Sequence, residues 1–415
     1  AALVVNCIIG SGIFGLPSTI ATTLGKDSPW AVLLAGLIAG VIMACFAEVA
    51  SQFSDAGGPY LYARAAFGRL VGIETGWMLW LARLTAPAAN ASLFVIYLAE
   101  FWPGAKLPLP RFLILTLLIG ILALVNFLGV RAGTRVSDVF TVAKLAPLLV
   151  LALAGVIYVL AGHKVVPAEI AAGPNSWLKA MLLLIFVYGG FETALTPMSE
   201  ARHPRKDVAF ALFSALVVCT LIYTLIQWGV VGALPDPGRN DRPIAELARL
   251  IFGNLGAALT AIAALVSLYG YLSANMLAVP RITFALAEQE DFPPIFSLVH
   301  SRFHTPYISI LAFALLTWLL ALLGSFAWNV TLSAVARLFY YGLVCAALPV
   351  LRRKQPGAAA FHLPRGTSLA AVGVVSCVVL ITQVDLGGSL ILVATVLAAL
   401  GNWLWVRRQR ETPTS

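Results

Sequence analysis

Two short stretches decide how this chain folds: Gly10-Ser11-Gly12-Ile13-Phe14-Gly15 near its start, and Tyr188-Gly189-Gly190-Phe191-Glu192, with Pro197 beyond, near its middle. Each lies inside a run of about 20 mostly apolar residues, the length that crosses a bilayer as a helix. Each glycine weakens such a helix by about 1 kcal/mol relative to Ala. In hydrocarbon an opened backbone costs several kcal/mol per unpaired group, so a break at mid-depth must face protein or a water-filled cavity. One such stretch alone would read as glycines that let helices pack closely. Two, five spans apart, read as corresponding positions of an inverted repeat, with a small molecule held between them.

The rest of the chain supports a membrane reading. Of 415 residues, 60% are hydrophobic and 11% charged, against about 45–50% and about 25% in a soluble domain. Apolar runs recur near 2–23, 29–50, 71–100, 111–130, 139–161, 177–197, 208–232, 254–287, 308–324, 331–350, 369–385 and 388–406. The expected fold is therefore an all-α integral membrane protein of about twelve transmembrane helices. Residues 1–161 would form one repeat, 177–350 the second, and 369–406 two further spans. A net charge of +9 does not signal nucleic acid, because the basic residues sit in short loops between apolar runs. If the first span leaves the cytoplasm, the inner segments carry about twice as many Lys and Arg as the outer ones, which places both termini in the cytoplasm of a multi-pass cell-membrane protein. The chain opens at Ala1 inside an apolar run, without a basic leader, so a first span is expected whose start lies upstream. Cys7, Cys45, Cys219, Cys345 and Cys377 all fall in apolar runs without ligand spacing. They read as small apolar residues, with neither a metal nor a disulfide expected.

A broken helix presents free N–H groups at the start of one half and free C=O groups at the end of the other. The N–H groups of Ser11, Gly12 and Ile13, with the Ser11 hydroxyl, suit a carboxylate. The carbonyls of Ile8 and Ile9, with those of Phe186, Val187 and Gly189, suit an ammonium. An α-amino acid carries both charges on one carbon.

At these residues the sequence resembles the amino acid–polyamine–organocation permeases, which share the LeuT-type five-plus-five inverted-repeat fold with helices one and six broken. Gly10 to Phe14 matches the family's G-[ST]-G-I-F, and Phe186 to Glu192 its F-x-x-x-G-F-[DE]. Glu48 and Ser51 to Tyr60 match the exit of span two, and Pro280-Arg281 through Glu290-Asp291-Phe292-Pro293 matches a segment after span eight. Glu200 to Lys206 departs from the family's E-x-x-N-P-x-R, with His203 in place of Asn. The resemblance implies a secondary carrier of amino acids, as symporter or exchanger, in which Phe191 closes over the substrate. It also implies a role for Lys144 in span five. Proton-coupled members place a lysine there, bridging carbonyls near Ile9 and a span-eight hydroxyl such as Ser273, so the proton is the expected coupling ion.

Charges inside spans are costly and need reasons. Lys144 can also be read as snorkelling to the interface. Glu192 is either a carboxylate at a helix start or a partner inside the bundle. Arg83 could meet an acidic side chain of the substrate, or pair internally with Glu192 or Glu48, the internal pair being favoured. Arg337 in span ten reads as a gate or a pair. Tyr188, Tyr269 and Phe339 are candidates for lining or capping the site. No P-loop is present, and the five histidines lie in loops or span ends, so neither ATP-driven transport nor an embedded enzyme is expected. A channel would need a selectivity ring or a repeated pore motif, and the sequence has neither. No cofactor is expected.

Overall fold

The computed structural model describes residues 2–53, 57–129, 135–163, 165, 172–195 and 204–411, with the side chains of 2–3, 135–144, 204–206 and 408–411 excepted. Regular structure among these residues is helical. The first half comprises α1 (Ala2–Ile8), α2 (Ser11–Leu24), α3 (Ser28–Ala50), α4 (Pro59–Phe67), α5 (Arg69–Leu98), α6 (Pro108–Phe127) and α7 (Arg135–Leu160). Then follow α8 (Pro174–Tyr188), α9 (Phe191–Ala194), α10 (Pro204–Ala233), α11 (Pro243–Glu288), α12 (Tyr307–Leu323), α13 (Phe326–Lys354), α14 (Gly366–Ile381) and α15 (Leu386–Glu411). Starts are set locally: α4, α6, α8, α10 and α11 each open on a proline, whose missing N–H costs nothing in a first turn and whose φ is already helical.

Counting α1–α2 and α8–α9 as one broken rod each and leaving aside the nine-residue α4, twelve rods result among the described residues. Eight stretches among the described residues are long and apolar enough to cross a membrane, and one, Ser11–Ala50, holds both α2 and α3. Leu145–Leu160, Tyr307–Leu323 and Gly366–Ile381 are shorter apolar helices that complete the set. The helix α11 is too long for a single span. Its Gly253, at φ 72°, divides a leading piece from the crossing helix that the sequence places near 254–287.

Packing shows the repeat directly. α1 lies on α9 and α2 on α8, so the two broken rods run side by side in opposite directions. α3 packs on α10, α5 on α11 and α6 on α12. Contacts between unlike rods also come in pairs: α3–α8 with α10–α1, and α5–α13 with α11–α7. Exchanging each rod for the one five later maps every one of these contacts onto itself or onto another of them. Rods five spans apart cross in opposite senses, so the relation is an inversion. The most enclosed rod is α5, 83% buried over its span against 22% for α6 and 17% for α15. Its run Ala86-Pro87-Ala88-Ala89-Asn90-Ala91-Ser92 is small enough for neighbours to approach closely. The last two helices lie outside the repeat: α14 packs on α3 and α13, and α15 on α5.

Candidate substrate site at the two helix breaks

The first break is at Ile9-Gly10. Gly10 is extended, and no side chain caps the start of α2. Ser11 is fully buried, and its Oγ has no partner among the described residues. Further along, Pro17 inside α2 cannot donate to the carbonyl four residues back, which adds a second irregularity to the rod. The second break is at Gly189-Gly190. Gly190 is held at φ +105°, and a Cβ there would sit 2.3 Å from the Cys7 carbonyl oxygen. A Cβ on Gly12 would lie 3.0 Å from Val187 Cα. These glycines are required because the two broken backbones touch. A space beside them, lined in part by Gly12, Ile13, Val187 and Tyr223, is about 10 Å³, room for about one water. At Gly12 and Val187 the two rods are thus in close contact.

Glu192 is the centre of the second break. Its Oε2 accepts from the Gly190 backbone N–H at 2.9 Å and from the Tyr341 hydroxyl at 2.8 Å. Its Oε1 accepts from Tyr340 at 2.8 Å and from Arg337 Nη1 at 2.9 Å. The carboxylate thus both caps the opened backbone and pairs within the bundle, so the two readings of Glu192 are one arrangement. Arg337 is a pair, 4% exposed. Its guanidinium also lies 5.8 Å over the Phe186 ring and presses on the face of Gly189. The carbonyl end of α8, expected to receive an ammonium, is thus already faced by a cation of the protein. The Ile8 carbonyl accepts from Tyr223 at 3.4 Å, and the Phe186 carbonyl from the Gly189 N–H.

The other expected residues divide. Arg83 is buried, and its Nε and Nη2 have no partner among the described residues. The favoured internal pair is not formed, because Glu192 is bonded to Arg337 and Glu48 to Arg352 at 2.6 Å and 2.7 Å. Phe191 is buried against Phe46 and Tyr341, with ring centroids at 5.0 Å and 5.2 Å. Tyr188 braces α8 on α3 through its hydroxyl to the Val32 carbonyl, 2.9 Å. Tyr269 is 41% exposed and does not line the site. Tyr271, two residues on and about 200° round the helix, places its ring 3.7 Å from a Cβ on Gly10 and covers the first break instead. Ser273 and Phe339 are half-buried. The side chain of Lys144 lies outside the described residues.

Two ion clusters that the sequence did not suggest tie α5 to α11. At one end Asp291, with no exposed side-chain surface, holds Arg64 at 2.9 Å and Arg69 at 2.6 Å. The Tyr60 hydroxyl also donates to it, and Asn402 of α15 donates to its carbonyl at 2.9 Å. Burial and the bond to Asp291 hold the Tyr60 hydroxyl well above the ordinary tyrosine range, so it stays a donor. At the other end Glu100, just after α5, holds Arg242 at 3.2 Å and also Arg249.

A bundle with two facing broken rods, related by inversion and braced by unbroken ones, defines a multi-pass membrane transport protein. The amino acid permease family model matches residues 1–405, and the chain belongs to that family. It is similar to three proteins of Bacillus subtilis (strain 168). The methylthioribose transporter is 27% identical, over 87% of this chain and 81% of that protein. The branched-chain amino acid permease BcaP is 26% identical over 91% and 85%. The serine/threonine exchanger SteT is 27% identical over 86% and 82%. These relatives are transporters, not enzymes.

Proposed function

We propose that the protein carries amino acids across the cell membrane by alternating access, as a secondary carrier with the proton as coupling ion and both termini in the cytoplasm. The repeats 1–161 and 177–350 would supply one broken rod each. The observation that carries this reading is the pair of touching breaks, one with an uncapped helix start and a buried unpartnered hydroxyl at Ser11. Free N–H groups there suit the substrate carboxylate, and the carbonyls ending α1 suit its amine. Opening to either side requires only that α1–α2 move against α8–α9, as the closed contact at Gly12 and Val187 separates. Names of relatives that include amino acid permeases and an exchanger agree with this class of substrate.

Lys144 is the coupling residue in this reading. A lysine held between desolvation, which lowers its pKa, and nearby carbonyls, which favour its charge, can load and release a proton. In proteoliposomes, labelled amino acid uptake should accelerate when the outside is acidified, and Lys144→Ala should abolish that acceleration. Uptake by Lys144→Ala with full proton dependence rejects the coupling role. Saturable counterflow separates a carrier from a channel, and uptake that requires internal amino acid marks exchange.

A further inference from the structure

We propose that the site between the breaks selects amino acids with an acidic side chain, and that Arg83 receives the side-chain carboxylate. This rests on the amino acid reading above and narrows it.

Arg83 is 5% exposed, and two of its N–H-bearing nitrogens, Nε and Nη2, have no partner among the described residues. A buried guanidinium in that condition is costly, and buried charges are ordinarily paired. Among the described residues no carboxylate serves it. Glu192 is bonded to Arg337, and Glu48 to Arg352. Glu74 is nine residues back on the same helix, about 13 Å along its axis.

Arg83 sits at the breaks. The carbonyl of its neighbour Ala82 accepts from Ser333 Oγ at 3.1 Å, and Ser333 Oγ accepts from Arg337 Nε at 3.4 Å. Arg337 in turn bonds Glu192. Arg83 is also within electrostatic reach of Glu192 and of Tyr271, the ring that covers Gly10.

The charges then decide the substrate. Among the described residues at the breaks, Glu192 is offset by Arg337, and Arg83 is left as a net positive charge. A neutral zwitterion adds no net charge and leaves it uncompensated in a low-dielectric site. An amino acid with a second carboxylate cancels it and can supply a bidentate acceptor matched to the guanidinium fork. Two buried hydroxyls without partners, Ser11 Oγ and Ser267 Oγ, add donors. Ser267 lies one turn from Tyr271 on the same face of α11.

The test is uptake into proteoliposomes, and thermal stabilisation of the purified full chain, with L-glutamate, L-aspartate, L-glutamine, L-asparagine, L-leucine, L-serine and L-arginine. Wild-type protein should take up at least one of the acids ten-fold or more faster than its amide. Arg83→Gln should bring that ratio close to one, and Arg83→Lys should hold it within about three-fold of wild type. Should Arg83→Gln not accumulate, the wild-type ratio and Arg83→Lys still decide. Uptake of neutral or basic amino acids without the acids overturns this proposal and leaves amino acid transport standing. So does an acid preference that survives Arg83→Gln. An equal loss of all substrates in that variant assigns Arg83 to the α-carboxylate and also overturns it. If no amino acid in the panel is carried or stabilises the protein, the broader reading falls as well.

Discussion

Two pairs of rods exchange under the inversion and meet near its centre, yet they are built in opposite ways. α5 and α11 are tied at both ends, by Asp291 with Arg64 and Arg69 and by Glu100 with Arg242 and Arg249. The pair α1–α2 and α8–α9 is open in the middle and joined there by backbone contact and by Glu192. Charges at the ends of unbroken rods fix a frame, because each end is pinned and little can slide. Charges at the centre of broken rods hold a contact that, in the alternating-access reading proposed above, must also come apart. The difference assigns rigidity to one pair and motion to the other.

The comparison can be broken first at Glu192. Glu192→Gln leaves Arg337 buried without its partner, a loss of about 3–5 kcal/mol, and thermal melting in detergent should show a large fall or no folded protein. Replacing Glu192 and Arg337 together by Met should recover part of that stability without recovering uptake. Next is Gly190→Ala, which meets the Cys7 carbonyl and the +105° backbone together. Backbone strain of about 1–3 kcal/mol and the clash should cut uptake at least about ten-fold. Gly253→Ala in the frame, also at positive φ but with open space around it, should leave uptake within about two-fold, since its strain of about 1–3 kcal/mol at φ 72° and ψ −165° falls on stability at a site away from the breaks. Asp291→Asn weakens charged hydrogen bonds to a fully buried group and should cost about 1–3 kcal/mol, read as a lower melting temperature with substrate binding kept. Arg249→Gln is the smallest. Its pair with Glu100 is part-exposed, so the loss should be about 0.2–1 kcal/mol and should shrink further in 1 M salt. An order reversed between Glu192 and Asp291 would overturn the assignment of frame and mover.

The fold was legible because its signals are local. Twelve apolar runs and two glycine pairs can be seen without knowing which helix touches which. The site was legible only at the breaks, for the same reason. Rotation about a helix axis is another matter: Tyr269 and Tyr271 differ by two residues, and an apolar helix in an apolar medium gives no polar face to show which points inward. The ion clusters were hidden because their members lie far apart in the chain, 222 and 227 residues from Asp291 to its arginines and 149 from Glu100 to Arg249, and loop charge was used only to orient the chain. The short helix α4 carries Tyr60 and Arg64, and at nine residues it is too brief to register as a periodic pattern. Arg337 could have been found by asking which cation at mid-depth answers Glu192. Ser333, Arg337, Tyr340 and Tyr341 then fall on adjoining turns of one helix.

The bond from Asn402 to the Asp291 carbonyl has a bearing on synthesis. Ribosomes deliver a chain from its N-terminal side, so Tyr60, Arg64 and Arg69 emerge long before Asp291, and Asn402 follows only after both repeats. The cluster that pins α5 to α11 can gather its arginines when Asp291 arrives, but its final donor waits for α15. A nascent chain halted after α14 would hold every element of both repeats and still lack the strut that closes this corner. A helix with no place in the repeat thus supplies the last piece of this corner.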